Sequence, residues 1–118
     1  MNATSPKACR VLVTGAAGFL GQGLIRALAN DWFCEAVVAV DVREVPTAQQ
    51  LPGIIYLTQD VRDPTLADTM AAHRIDTVVH LASIVTPGKD SNRAFEYSVD
   101  VGGTQNVLQA CVQHGVRH

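Results

Sequence analysis

An α/β fold is predicted for this chain: a doubly wound, mainly parallel sheet of about four strands flanked by helices. Three observations predict it. Short β-branched runs alternate with stretches of helical periodicity. The first run leads directly into a glycine-rich turn that opens a helix, and the second is apolar throughout, as a strand covered on both faces must be. The length of 118 residues suits one domain or part of one, against a norm of roughly 100–200 residues per domain. At 47% hydrophobic and 17% charged residues, the composition is that of a globular chain and excludes a disordered or low-complexity one.

Each element has its own signal. Residues 10–14 (RVLVT) form the first strand, and residues 15–18 the turn. A helix follows over 19–30, where Leu20, Leu24 and Leu28 recur every four residues and are expected to line its buried face. Residues 36–40 (AVVAV) are the second strand, ending at Asp41, after which Pro46, Pro52 and Gly53 break regular structure. The third strand spans 54–57. Asp63 then reads as an N-cap and Pro64 as the first position of a short helix through His73, with Leu66 and Met70 facing inward. Residues 77–81 (TVVHL) are the fourth strand.

From Ser91 a long helix is expected to close at His114, with Gly115 as its stop. Gly102 and Gly103 interrupt it, each costing roughly 1 kcal/mol relative to alanine, so a kink or a close backbone approach is expected there. Val116, Arg117 and His118 read as the start of a fifth strand, and the sheet is therefore expected to be truncated, with one edge lacking its neighbour. Right-handed crossovers would place the helices on opposite faces of the sheet.

Composition narrows the function classes. Nine Lys and Arg against eleven Asp and Glu leave a net charge of −2 and no basic stripe, so nucleic acid and membrane surfaces are excluded as partners. No run approaches the ~20 apolar residues of a membrane span, and residues 1–8 are polar where a secretion signal would be apolar. Cys9, Cys34 and Cys111 are odd in number and lack CxxC spacing, which suggests neither a disulfide framework nor a metal site. A reducing compartment, the cytoplasm, is expected.

The most specific motif is residues 14–21, TGAAGFLG, a GxxGxxG placed after a buried strand and at a helix start. Glycine is required where the turn is tight and where a side chain would push a pyrophosphate away from the helix N-terminus. The amides there are unpaired and the dipole attracts anions. Gly21 would let helix and strand approach closely. The same glycines could merely build a strand-to-helix turn, but their setting favours a dinucleotide.

Twenty residues after Gly21, at the tip of the second strand, stands Asp41, where such folds place the acid that accepts hydrogen bonds from the adenosine ribose. This points to NAD, because a 2′-phosphate would meet the carboxylate with a repulsion on the order of a few kcal/mol at an effective dielectric near 20. Arg43 could swing toward that phosphate, and NADP is therefore the alternative. Asp60 and Ser83 are ordinary surface types by themselves, yet both follow predicted strands at the end where open α/β sheets bind ligands. His80, internal to a strand, reads as a hydrogen-bonded packing residue and not as an acid or base.

Together TGAAGFLG, Asp41, Asp60-Val61, His80-Leu81-Ala82-Ser83 and the run Tyr97…Gly103-Thr104…Asn106-Val107-Leu108 resemble the N-terminal part of the extended short-chain dehydrogenase/reductase family. The similarity spans residues 10–118. It implies that residues 1–118 are a Rossmann-type NAD-binding domain, incomplete because the catalytic strand and the substrate domain are absent. It also implies an NAD-dependent epimerase, dehydratase or reductase that works by hydride transfer, with a nucleotide sugar or similar small molecule as substrate of the full-length protein. By the same resemblance Gly15, Gly18, Phe19 and Leu20, in a turn shared with Ala17 and Gly21, would hold the pyrophosphate. Asp41, with its neighbours Val42 and Arg43, would meet the ribose, and Asp60 with the Val61 backbone the adenine edge. Leu81, Ala82 and Ser83 would pass beside the nicotinamide half.

Two departures from the family pattern stand out. Asp100 occupies a position where the family usually carries an asparagine, and an ionised aspartate accepts but cannot donate. The family's YxxxK pair is missing as well: Tyr56 is followed four residues on by Asp60 and Tyr97 by Val101, and the only lysines are Lys7 and Lys89. No catalytic residue and no metal ligand is assigned, and this stretch is expected to be inactive alone. A non-catalytic dinucleotide-sensing or interaction module is the alternative. Self-association through the exposed sheet edge or the long helix is expected.

Overall fold

The computed structural model describes residues 9–30, 34–82 and 98–118. Four strands, β1 (Cys9–Thr14), β2 (Cys34–Asp41), β3 (Ile55–Thr58) and β4 (Thr77–His80), form one sheet in the order β3-β2-β1-β4, and every pairing is parallel. Helices α1 (Phe19–Ala29), α2 (Leu66–Ala72) and α3 (Thr104–His114) accompany them, with a π-helical turn over Ser98–Gly103 leading into α3.

Successive side chains of a strand point to opposite faces, and the two cores follow that alternation. Leu12, Val38 and Val40 pack with Leu66, Met70, Ile75, Val107 and Ala110, so α2 and α3 cover one face. Val11, Val13 and Ala39 pack with Ala16 and Ile25, so α1 covers the other. This double cover is the reason that the middles of β1 (Val11–Val13) and β2 (Ala36–Val40) are apolar throughout. The chain winds from β1 outward to β3, then returns past β1 to β4, and the connections change faces at that reversal.

Local details depart from the periodicity. The buried residues of α1 are Gly21 and Ile25; Leu24 and Leu28 flank them and Leu20 is exposed, so the helix is rotated from the leucine stripe. Gly21 sets that rotation by lying flat on Gly15 and Ala16. α2 begins at Leu66 and not at Pro64, because Asp63 Oδ1 accepts the Thr65 amide (2.8 Å) and hydroxyl (2.7 Å) in a turn that precedes the helix. Leu66 and Met70 are fully buried, as their spacing predicts. The proline-rich stretch after β2 holds one 3₁₀ turn, Thr47–Gln49.

The two glycines expected to disturb the last helix behave differently. An added Cβ on Gly103 would stand 2.5 Å from Val61 Cγ2, whereas Gly102 faces open space. Residues 91–97 of the predicted helix lie outside the described residues. At its other end α3 closes on Gly115, in the left-handed region, whose amide returns to Cys111 O at 2.8 Å. The tail then turns along β4: Val78 N donates to His118 O (2.8 Å) and Arg117 N to Asp76 O (3.1 Å). Among the described residues no helix is long and apolar enough to cross a membrane.

Candidate functional site

The strands end at a common rim, with Thr14 registered against His80 and Asp41 against Thr58. β1 runs out into Gly15, whose φ of +71° is the left-handed region that glycine adopts without strain. A Cβ here would stand 2.7 Å from Ala82 N, so the turn passes directly under the chain leaving β4. Backbone bonds tie the turn down: Ala16 N donates to Val40 O (3.1 Å) and Gly18 N to Gly15 O (3.1 Å).

Gly18 is the N-cap of α1, and no side chain caps this helix end. The first-turn amides of a helix have no intrahelical acceptor, and the dipole adds partial positive charge there. Phe19 is 93% and Leu20 70% exposed, so the rim around these amides is open and apolar.

Asp41 lies beside this helix end, only 7% exposed. Its Oδ2 accepts from Ala17 N (2.9 Å) and its Oδ1 from Arg43 N (2.9 Å), while the Arg43 guanidinium approaches both oxygens at 3.3 and 3.4 Å. Burial by itself raises the acid's pKa. The Arg43 amide and guanidinium and the Ala17 amide outweigh it and hold the carboxyl below its ordinary value of 3.8. Asp41 is therefore an ionised acceptor that also fastens the glycine turn to β2. Val42, next to it, is 58% exposed.

On the far side of the rim Asp60 accepts from Arg62 through the backbone amide (2.8 Å) and the guanidinium (Nη2 at 2.6 Å), and these bonds lower its pKa. Val61 is buried against Gly103. Asn106 Nδ2 donates to both Val61 O (2.7 Å) and Asp63 O (2.8 Å), which fixes the orientation of the Val61–Arg62 peptide just after Asp60. Asn106→Ala would strand two part-buried carbonyls. It is expected to lower stability by about 1–3 kcal/mol in urea unfolding, and Asn106→Asp, which cannot donate when ionised, is expected to rescue nothing.

Leu81 and Ala82 leave β4 with their amides turned onto Thr14 Oγ1 at 3.0 and 3.2 Å. Ser83, and with it Lys89 and Tyr97, lies outside the described residues. His80 is hydrogen-bonded through both ring nitrogens, to Thr14 Oγ1 (2.7 Å) and Thr104 Oγ1 (2.9 Å). Among the described residues no three His, Cys, Asp or Glu side chains converge as a metal site would require.

The rim thus brings together the glycine turn, Asp41, Arg43, Leu81 and Ala82, and sets the Asp60–Val61 loop beside α3. Open helix amides beside a buried, ionised acceptor can hold an anionic group that also carries hydroxyl donors. A dinucleotide, with a diphosphate next to a ribose, fits that donor and acceptor set. Reading the sequence missed Thr14 and Asn106 as organisers of the rim. The available signal was weak: one hydroxyl ending an otherwise apolar strand, and one amide in the first turn of a helix.

Comparison with known proteins agrees in direction. The profile described as the 3-beta hydroxysteroid dehydrogenase/isomerase family matches residues 12–118. Short-chain dehydrogenase/reductase family 42E member 1 of Danio rerio is 37% identical over 107 residues, covering 89% of this chain and 26% of the relative. UDP-glucose 4-epimerase of Halalkalibacterium halodurans is 32% identical over 109 residues, covering 91% and 32%. The structure of MoeE5 in complex with UDP-glucose and NAD superposes with a TM-score of 0.74 at 38% identity, over 91% of this chain and 33% of that one. The chain thus spans about a third or less of the length of these relatives.

Proposed function

Since this chain belongs to the 3-beta hydroxysteroid dehydrogenase/isomerase family, among the extended short-chain dehydrogenases/reductases, we propose that residues 1–118 are the NAD-binding part of an NAD-dependent epimerase, dehydratase or reductase. The observation that carries this reading is the uncapped start of α1, set behind a glycine turn that Asp41 holds in place. NAD, when bound, supplies hydride transfer. The residues of this chain do the holding. The α1 amides from Phe19 onward would meet the diphosphate, Asp41 would accept from the ribose hydroxyls, and the Val61 backbone, held by Asn106, would face the adenine. Leu81 and Ala82 would border the nicotinamide half, with Ser83 following them.

NAD is favoured over NADP by the surroundings of Asp41. Arg43, the one cation lining this small pocket among the described residues, is paired with Asp41, and Glu44 lines the same pocket, so a 2′-phosphate would meet two carboxylates. The substrate is proposed to be a nucleotide sugar or a similar hydroxy or keto compound. No tyrosine in this sequence is followed four residues on by lysine, which supports a stretch that binds the dinucleotide without turning over. The three cysteines, none of them in a disulfide, accord with a reducing compartment such as the cytoplasm, and association of copies along β4 or α3 is part of the same reading.

Isothermal titration of the 118-residue chain tests the proposal. Uptake of NAD with an affinity at least tenfold above that for NADP is expected. Absence of heat with both nucleotides would refute it, and turnover by this chain with NAD and a sugar nucleotide would refute its inactivity.

A further inference from the structure

Thr14 and His80, the last residues of β1 and β4, sit in a hydrogen-bonded chain whose direction can be worked out from donor and acceptor counts. The Thr14 hydroxyl is fully buried. It receives the amides of Leu81 (3.0 Å, shared with Thr14 O at 3.2 Å) and Ala82 (3.2 Å). A hydroxyl has two lone pairs and one proton. With both lone pairs engaged, its proton must go to the remaining partner, His80 Nδ1 at 2.7 Å. Nδ1 is therefore an acceptor and the ring proton resides on Nε2, which donates to Thr104 Oγ1 at 2.9 Å. The Thr104 hydroxyl in turn donates to the Asp100 carbonyl at 2.6 Å. Every hydroxyl and ring proton along the chain has one destination.

We infer that His80, as its neutral Nε2–H tautomer, is a positioning residue that locks the ends of β1 and β4 to the start of α3. It thereby sets where Gly15 and the Leu81–Ala82 backbone stand. A cationic ring would aim a second N–H at a hydroxyl with no free lone pair, and the Nδ1–H tautomer would do the same. Burial of the ring, which lowers its pKa, works in the same direction. The inference rests on the dinucleotide reading only for its functional consequence; the hydrogen-bond chain stands apart from it.

Long-range proton–nitrogen NMR on the unaltered, ¹⁵N-labelled chain at neutral pH reads the tautomer directly. A protonated Nε2 with a bare Nδ1 on His80 is expected, and an Nδ1–H or doubly protonated ring would overturn the inference. In His80→Leu the Leu81 and Ala82 amides are expected to exchange about tenfold faster and NAD affinity to fall about tenfold, the size of one lost buried hydrogen bond. His80→Gln, with an acceptor and a donor on one side chain, is expected to recover most of both. Amide exchange in His80→Leu equal to wild type would overturn the inference. Failure of the unaltered chain to take up NAD would instead strike the proposed function, leaving the tautomer and exchange measurements to decide this one.

Discussion

Replacing Gly21 with alanine is expected to lower the free energy of unfolding by about 2–3 kcal/mol and to abolish measurable NAD uptake. The added methyl would press on the Gly15 carbonyl and stand 2.8 Å from Ala16 Cα, both backbone atoms that cannot rotate aside. Either α1 lifts from the sheet or the glycine turn deforms, and both outcomes displace the helix amides from the rim. Gly23, two residues on in the same helix, is the internal control. A Cβ there meets nothing within 4 Å, so Gly23→Ala is expected to gain up to about 1 kcal/mol from helix propensity. Urea unfolding of the two variants side by side measures the contrast. Equal stabilities would mean that helix and strand do not approach at Gly21 as described.

The second large effect is expected at Asp41. Asp41→Ala removes the acceptor for two backbone amides, Ala17 and Arg43, and frees the Arg43 guanidinium. A loss of about 2 kcal/mol in stability is expected, together with at least a tenfold loss of NAD affinity and a narrowed preference over NADP. pH separates the electrostatic part. The carboxyl's folded pKa lies below its ordinary value of 3.8, so its contribution is complete above that value and is lost as pH falls through the lower, folded one. The stability gap between wild type and Asp41→Asn is therefore expected at neutral pH and should close below about pH 4. A gap that persisted unchanged into acid would show that the carboxylate's charge does not fasten the turn.

The sequence made much of this legible. Strand and helix periods are local properties of side-chain alternation, so the four strands and the order of elements could be read from runs such as AVVAV and from the glycine turn between RVLVT and the first helix. The place of Asp41 at the tip of β2 was legible for the same reason, because the end of an apolar run marks a strand end without knowledge of what the residue touches. The rotation of α1 was not, since three leucines at i, i+4 and i+8 describe a stripe but not how closely a glycine lets the helix approach the turn beneath it. The start of α2 was misjudged because Asp63 can cap a turn as readily as a helix.

Amino-acid order by itself determined the class of fold, the glycine turn and the acid at the tip of β2, because these depend on backbone preferences and burial patterns that act within a few residues. Tertiary structure alone decided which groups hold the rim together. Thr14 finds His80 66 residues away, and Asn106 finds Val61 at a separation of 45. A hydrogen bond acts only over about 3 Å, so its partners are chosen by how the sheet and helices fold back on one another and leave no trace in local sequence.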